Sequence, residues 1–178
     1  VKARPDQLSY GSAGVGSLNH LSMALFLKRA GLQMSHVPYR GNAPALADIV
    51  AGHVPAMFSN LSDALPQISG GSVRLLAVSS AERSALAPDA PTVAEAGYPG
   101  FNVLTWNGLM APAGTPKAII DKIADTMSAA IKDAPFRKQL ADYGVDPLAA
   151  HPAEFAETLA KDMAIWKEAV EIAGVKQQ

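Results

Sequence analysis

From Leu8 onward the chain repeats one pattern: a short run suited to a strand, a glycine turn, then apolar residues at helical spacing. Leu8-Ser9-Tyr10-Gly11 predicts a strand, Ser12-Ala13-Gly14-Val15-Gly16 a turn, and Ser17 to Ala30 a helix that Gly31 ends. Leu18, Leu21, Leu25 and Phe26 share one side of that helix while Met23 and Leu27 fill others, so most of its faces are expected to be buried. Met34 to Val37 predicts a second strand, stopped by Pro38. Pro44 then opens a helix with Leu46, Ile49 and Val50 inward, and Gly52 ends it. Val54 to Phe58 and Val73 to Val78 predict further strands, the latter apolar enough to be a parallel strand covered on both faces. Short strands alternating with helices predict an α/β fold, its sheet parallel and its crossovers right-handed.

After Ser79 the character changes. A proline-bearing stretch carries one short predicted helix, Thr92 to Ala96, and an extended segment, Asn102 to Met110, leads to Ala111-Pro112-Ala113-Gly114-Thr115-Pro116. Two amphipathic helices follow. Ile119, Ile123, Met127 and Ile131 stripe the first, which Thr115 is expected to cap ahead of Pro116; Phe155, Leu159, Met163, Trp166 and Val170 stripe the second. Between them Pro135 to Tyr143 predicts a short helix closed by Gly144. This half has too few strands to build its own sheet. No apolar run approaches the roughly 18 residues that span a bilayer. Val1-Lys2-Ala3-Arg4-Pro5-Asp6 reads as the fraying end of a helix stopped by Pro5, not as a signal peptide, which suggests that a preceding piece is missing.

Composition narrows the function. With 49% hydrophobic and 17% charged residues the chain has the apolar surface to fold, so disorder is excluded. Its 15 basic and 16 acidic residues give a net charge of -1 without a basic block, which leaves a nucleic-acid role without electrostatic support. The absence of cysteine removes disulfides, thiolate metal sites and cysteine nucleophiles together. His20, His36, His53 and His151 show no ligand spacing, so no metal is expected. Asp121/Asp125 and Glu154/Glu157 fall on the solvent faces of amphipathic helices, where solvation explains them better than acid–base work.

The most suggestive chemistry lies in Gly11-Ser12-Ala13-Gly14-Val15-Gly16-Ser17-Leu18-Asn19-His20, between a strand and a helix. Unpaired amides of the helix's first turn, together with the helix dipole, favour an anion. Ser12 and Ser17 add hydroxyls, and His20 lies one turn in, where it can face the same crevice. Two explanations stand side by side: a carboxylate or phosphate site, or a glycine-rich turn with Ser17 as an ordinary cap. Known motifs fail here. A P-loop needs lysine where Ser17 stands, the dinucleotide fingerprint has Asn19 at its third glycine, and a nucleophile elbow would need glycine at Tyr10.

The segment Pro38-Tyr39-Arg40-Gly41-Asn42-Ala43-Pro44 ends the second strand at the same sheet edge. Arg40 there either pairs with a carboxylate in a bidentate geometry or is a solvated surface arginine. Tyr39 can supply a wall and a hydroxyl. Asn60 either bonds a ligand or caps the following segment. Trp166 is expected in the core, in register with its stripe, whereas Trp106 has polar neighbours in Thr105 and Asn107.

Taken in order, these blocks resemble the Bug, or TctC-like, extracytoplasmic receptors of tripartite tricarboxylate transporters. The matching residues are Leu8-Ser9-Tyr10-Gly11-Ser12 with Gly14-x-Gly16-Ser17-x-x-His20-Leu21, then His36-Val37-Pro38-Tyr39-Arg40-Gly41 and Ala43-Pro44-Ala45-Leu46. Met57-Phe58, Leu76-Ala77-Val78, Ala90-Pro91-Thr92-Val93-Ala94-Glu95-Ala96-Gly97, Trp106-Asn107-Gly108-Leu109 and Ala111 to Pro116 complete the series. The resemblance implies a periplasmic-binding-protein fold of type II-like clamshell form. One parallel-sheet lobe would be nearly complete, at roughly residues 1–103, and 104–178 would be the return into the other. It implies a periplasmic receptor that binds a small organic carboxylate and hands it to membrane transporter subunits, with no cofactor and no catalytic residue. Ser12, Ala13, Gly14, Gly16, Ser17 and His20 would form the anion-binding turn, and Tyr39, Arg40, Gly41, Ala43 and Asn60 would line the crevice. Trp106 would lie near the crossing between lobes. The family's signal peptide and N-terminal strands are not in this chain, and Ser59 stands where many relatives carry an aspartate, which speaks against an amino-group ligand.

Without those strands the two apolar stripes are expected to be partly exposed and to drive self-association, through exchange of the C-terminal helices. Two other functions compete with the receptor. One is an enzyme, either a serine hydrolase using Ser12 or Ser17 or an NADP-binding reductase using Arg40. The other is the effector-binding domain of a transcription regulator.

Overall fold

The computed structural model describes Val1 and residues 7–148 and 150–175. The helix end expected at Val1 to Asp6 therefore lies, apart from Val1, outside the described residues. The chain divides into two compact units, Val1–Thr105 with Trp166–Gln178, and Trp106–Ile165.

In the first unit β1 (Ser9–Ser12) pairs in parallel with β2 (Ser35–Pro38), Ser9 opposite Ser35 and Ser12 opposite Pro38. Between them runs α1 (Leu18–Ala30), capped by Ser17 and closed by Gly31 in the left-handed conformation, φ 61°. That is the helix expected from the sequence, and seven of its residues are buried, Leu25 fully. Leu18 departs from the pattern: in the opening turn it is exposed. After β2 comes α2 (Asn42–Val50), which buries Ala45 while Val50 is exposed and Leu46 and Ile49 are half-buried.

The strand expected over Val54 to Phe58 shrinks to one parallel bridge, Gly11 with Met57, where Gly11 N–H donates to Ala56 O at 2.9 Å. Pro55 has no N–H to offer a ladder, and Val54 N–H is spent on Asp48 O. Val73 to Val78 likewise bridges only at Val78, to Thr92. Leu76 is 65% exposed, so this segment is not covered on both faces. The helix expected at Thr92 to Ala96 is a single turn. Glu95 accepts from Thr92 N–H at 2.7 Å and Thr92 Oγ1 from Glu95 N–H at 3.0 Å, but Gly97 at φ 108° ends it there. A helix unforeseen in the sequence, α3 (Leu61–Ser69), starts at Asn60. Pro66 inside it masks the helical pattern.

Phe101, 1% exposed, anchors the core of this unit. Its ring meets Phe26 edge-on at 6.0 Å and Phe58 at 6.2 Å, and the Arg29 guanidinium lies 5.6 Å above it. Tyr10, Met23 and Leu27 form a neighbouring cluster against which Met34, Ala56 and Phe58 pack.

The second unit holds α4 (Lys117–Lys132), α5 (Ala134–Asp142) and the larger part of α6 (Pro152–Ala173). Thr115 does not cap α4. Its hydroxyl donates to Pro112 O at 2.8 Å, and Pro116, extended at ψ 135°, occupies the cap position without a side-chain bond. Asp133 caps α5 by accepting from Phe136 N–H at 3.0 Å. Ile119, Ile123 and Met127 of the α4 stripe are 51%, 39% and 46% exposed, and Met163 of α6 is exposed as well. Trp166 is half-buried rather than core; the buried residue of α6 is Ala169. Among the described residues no helix is long and apolar enough to cross a membrane.

Candidate functional site

Both strands of the first unit end in glycine-bearing turns that are laced to each other. Tyr39 N–H donates to Ser12 O at 3.0 Å and Gly41 N–H to Ala13 O at 3.2 Å. This close approach needs glycine at position 14. Its φ is 134°, and a Cβ there would stand 3.4 Å from Tyr39 O.

Inside the first turn several amides are already engaged. Gly14 N–H donates to Ser12 Oγ and Gly16 N–H to His20 Nδ1, each at 3.1 Å. Ser17 N–H donates to Gly14 O, and Ser17 Oγ both accepts from His20 N–H and donates to Gly14 O. The amides of Ala13, Val15, Leu18 and Asn19 find no acceptor among the described residues. The donors open to a ligand are therefore interspersed with those that hold the turn's shape, alternating from Ala13 to Gly16. Ser17 acts as the cap that the sequence allowed, and four open donors remain beside it.

Two side chains of the turn, Ser12 and His20, face inward, while Val15 is exposed. Ser12 is fully buried, with Oγ 2.6 Å from His36 Nε2, and His20 is 5% exposed. The two imidazoles stack at 3.9 Å and 8°, and Tyr10 lies against His36 at 5.0 Å. Burial pushes His20 below the usual histidine range. It brings His36 down to about 4, helped by the nearby charge of His20. Burial also raises the Tyr10 phenol. His20 thus belongs to the base of the turn, where sequence reasoning placed it facing the crevice.

Across the edge, the Tyr39 hydroxyl is not free for a ligand: it donates to Asp48 Oδ2 at 2.7 Å. That bond raises the tyrosine and holds Asp48 below the usual carboxylate range, with His53 contributing to the latter. Arg40 is exposed and makes no ion pair or hydrogen bond among the described residues. Gly41 adopts φ 113° at the start of α2, and Ala43 is exposed in its first turn. Asn60 caps α3 by position but not by its side chain, which donates to Asp63 Oδ2 at 3.3 Å and accepts from Thr105 Oγ1 at 3.5 Å. Trp106 belongs to the second unit. There its ring meets Phe155 edge-on at 4.8 Å and its indole N–H donates to Asp162 at 2.7 Å.

Sequence reasoning missed a polar network that ties three helix starts together. Asn19 Nδ2 donates to Phe58 O at 2.8 Å, and Asn42 Nδ2 donates to Ser59 Oγ at 3.0 Å and Asp63 Oδ2 at 2.7 Å. Asn19, Asn42 and Asp63 stand in the first turns of α1, α2 and α3. Three positive helix ends thus meet at one edge of the sheet. The signal available in the sequence was an asparagine at two of those starts. Among the described residues no group of three His, Asp or Glu side chains is arranged to hold a metal.

Comparison with known proteins gives one consistent answer. Residues 1–175 match the family described as tripartite tricarboxylate transporter family receptor, TctC. BugT of Bordetella pertussis is 34% identical over 175 residues, 98% of this chain and 54% of that one. Among solved structures, R. palustris Rpa4515 with adipate superposes with a TM-score of 0.82 at 33% identity, covering 97% of this chain and 58% of that chain. MatC from Rhodopseudomonas palustris with bound malate gives 0.74 at 34% identity, covering 93% and 57%. The chain spans about half the length of the curated relatives it matches. Its fold is the α/β fold of the periplasmic binding proteins, and the chain belongs to the TctC, or Bug, receptor family.

Proposed function

We propose that this chain is the ligand-gripping part of a periplasmic receptor that binds a small organic carboxylate and delivers it to a tripartite tricarboxylate-type transporter, without catalysis. The observation that carries the proposal is the set of four open amides at Ala13, Val15, Leu18 and Asn19, at the start of α1. Uncommitted Arg40 follows the neighbouring strand. Amide donors at a helix start and a free guanidinium are what a carboxylate requires. Adipate and malate, bound by the two R. palustris relatives, are the first ligands to test. In this reading residues 1–103 form the lobe that carries the turn and the chain from 104 returns toward the other lobe. In the whole receptor, ligand contacts to both lobes would shift the population toward a closed form.

Calorimetric titration with adipate and malate tests the proposal, and silence with both and with a wider panel of carboxylates would sink it. Arg40→Met is expected to weaken carboxylate binding about tenfold, the worth of one charge-assisted hydrogen bond partly screened by water. Unchanged affinity in that variant would leave Arg40 as a solvated surface residue.

A second reading has one contact in its favour, the 2.6 Å approach of Ser12 Oγ to His36 Nε2, the spacing of a nucleophile and its base. Two facts oppose it. Ser12 is fully buried, and an imidazole held near 4 is a weak base at neutral pH. Ester turnover abolished by Ser12→Ala would revive it.

The exposed stripe of Ile119, Ile123 and Met127 supports self-association of the 178-residue chain. Sedimentation should show a dimer or larger species that Ile119→Glu with Ile123→Glu converts to monomer. A monodisperse native monomer would count against it.

A further inference from the structure

We propose that His20 and His36 are positioning residues of the turn: a stacked pair of neutral imidazoles that holds its amide donors in place and releases them when a proton enters. The purpose of this device rests on the carboxylate reading of the turn, while its geometry is independent of any ligand. His20 reaches back one helical turn, and Nδ1 accepts from Gly16 N–H at 3.1 Å, which places the ring's own proton on Nε2. His36 comes from β2, opposite Tyr10 in register, and meets Ser12 Oγ at 2.6 Å. That oxygen in turn accepts from Gly14 N–H. The Gly16 amide thus hangs directly on His20, while the Gly14 amide rests on a hydroxyl that also donates to Gly14 O at 3.1 Å and that His36 touches. The open amides of Ala13 and Val15 are interleaved with them.

A proton on His20 Nδ1 turns the acceptor of Gly16 N–H into a donor, and that bond cannot persist. A charge on either ring also opposes a charge on the other across the 3.9 Å stack. Among the described residues nothing packed around the pair compensates. β1 brings only the Tyr10 phenol, and Asp48 of α2 is bonded to Tyr39 and His53. Asp63 of α3 is held by Asn42 and Asn60. Lys28 and Arg29 lie in the last turn of α1, about 12 Å along the axis from His20. The lowered affinity of both rings for a proton agrees with this arrangement.

The test is amide NMR on the 178-residue chain, with adipate titration at pH 7 beside it. The Gly14 and Gly16 amide resonances should move together with imidazole titration between pH 7 and pH 4. At pH 4 the Gly16 amide should exchange about tenfold faster than in His20→Asn, whose Oδ1 keeps an uncharged acceptor where Nδ1 stood. His20→Gln, with no acceptor at that position, should show the released turn already at pH 7 and lose adipate affinity that His20→Asn recovers. Resonances of Gly14 and Gly16 that stay fixed in the native chain from pH 7 to pH 4 would overturn the proposal, whether or not adipate binds. Titrating amides without adipate binding would support the latch and count against the carboxylate reading. Should either variant fail to fold, the native titration decides alone.

Discussion

Phe101→Ala is expected to destabilise the first unit by about 3–5 kcal/mol, a large part of what a domain of this size has to lose. Phe101 is 1% exposed and lies where three side chains of that unit converge. Phe26 of α1 meets it edge-on, Phe58 stacks beside it, and Arg29 covers its face. Truncation removes the ring from all three and leaves a cavity that α1 can close only by moving. The cost reaches the candidate site, because Phe58 O holds the Asn19 side chain at the start of α1. Phe101→Leu keeps most of the volume and should cost less than half as much. Urea unfolding followed by circular dichroism measures both. A loss below about 1 kcal/mol for Phe101→Ala would show that the ring is not the anchor its burial implies.

The same contacts show which parts of the fold the sequence could reveal. α1 was legible end to end, since Ser17, a long apolar run and Gly31 each report locally on a start, a body and a stop. Strands depend on partners that lie far away in the chain. Val73 to Val78 has the composition of a buried strand, yet only Val78 finds a ladder partner and Leu76 points to solvent. Local patterning cannot report a missing neighbour. At α3 the failure ran the other way, with Pro66 suppressing a helix that the packing of α3 on α2 supports. Thr115 shows a third kind of error. The residue type suits a cap, but the extended backbone of Pro116 moved the helix start by one position and the hydroxyl turned to Pro112.

Within the candidate site, position was legible and orientation was not. The glycine turn and the segment after β2 do end at one sheet edge, as alternating strands and helices required. Which side chains look outward depends on partners supplied from elsewhere. Tyr39 was expected to offer its hydroxyl, but Asp48, nine residues on, takes it. His20 was expected in the crevice, but the ring of His36 stacks against it in the interior. Arg40 has no such partner among the described residues and keeps its charge available. The chemistry of the turn therefore comes from its backbone, with side chains in supporting positions.

Acidification should weaken the folded chain at a pH above the range in which its paired carboxylates protonate. His36 takes up a proton at about 4 in the folded protein against 6.5 when unfolded, and His20 is shifted in the same direction. Because the folded state favours the neutral ring, the unfolded chain binds protons first as pH falls. Stability is then constant above about 6.5, declines between 6.5 and about 4, and levels off below. For His36 the limiting loss is about 3 kcal/mol at 1.36 kcal/mol per pH unit, and solvent screening of a half-buried ring lowers it to about 2 kcal/mol. Asp48 and Glu95, whose carboxyls are held below their usual range, act lower down. The stability they add is present above their unfolded values of 3.8 and 4.5 and is lost as pH falls through their folded ones. The histidine window is thus separable from theirs. Urea unfolding at a series of pH values from 8 to 4.5 should show the native chain losing stability while His36→Gln, which keeps a polar group near Ser12 without a titration, loses much less. A native chain equally stable at pH 7 and pH 4.5 would mean that the two rings are solvated when folded, and the packed imidazole pair under the turn would have to be abandoned.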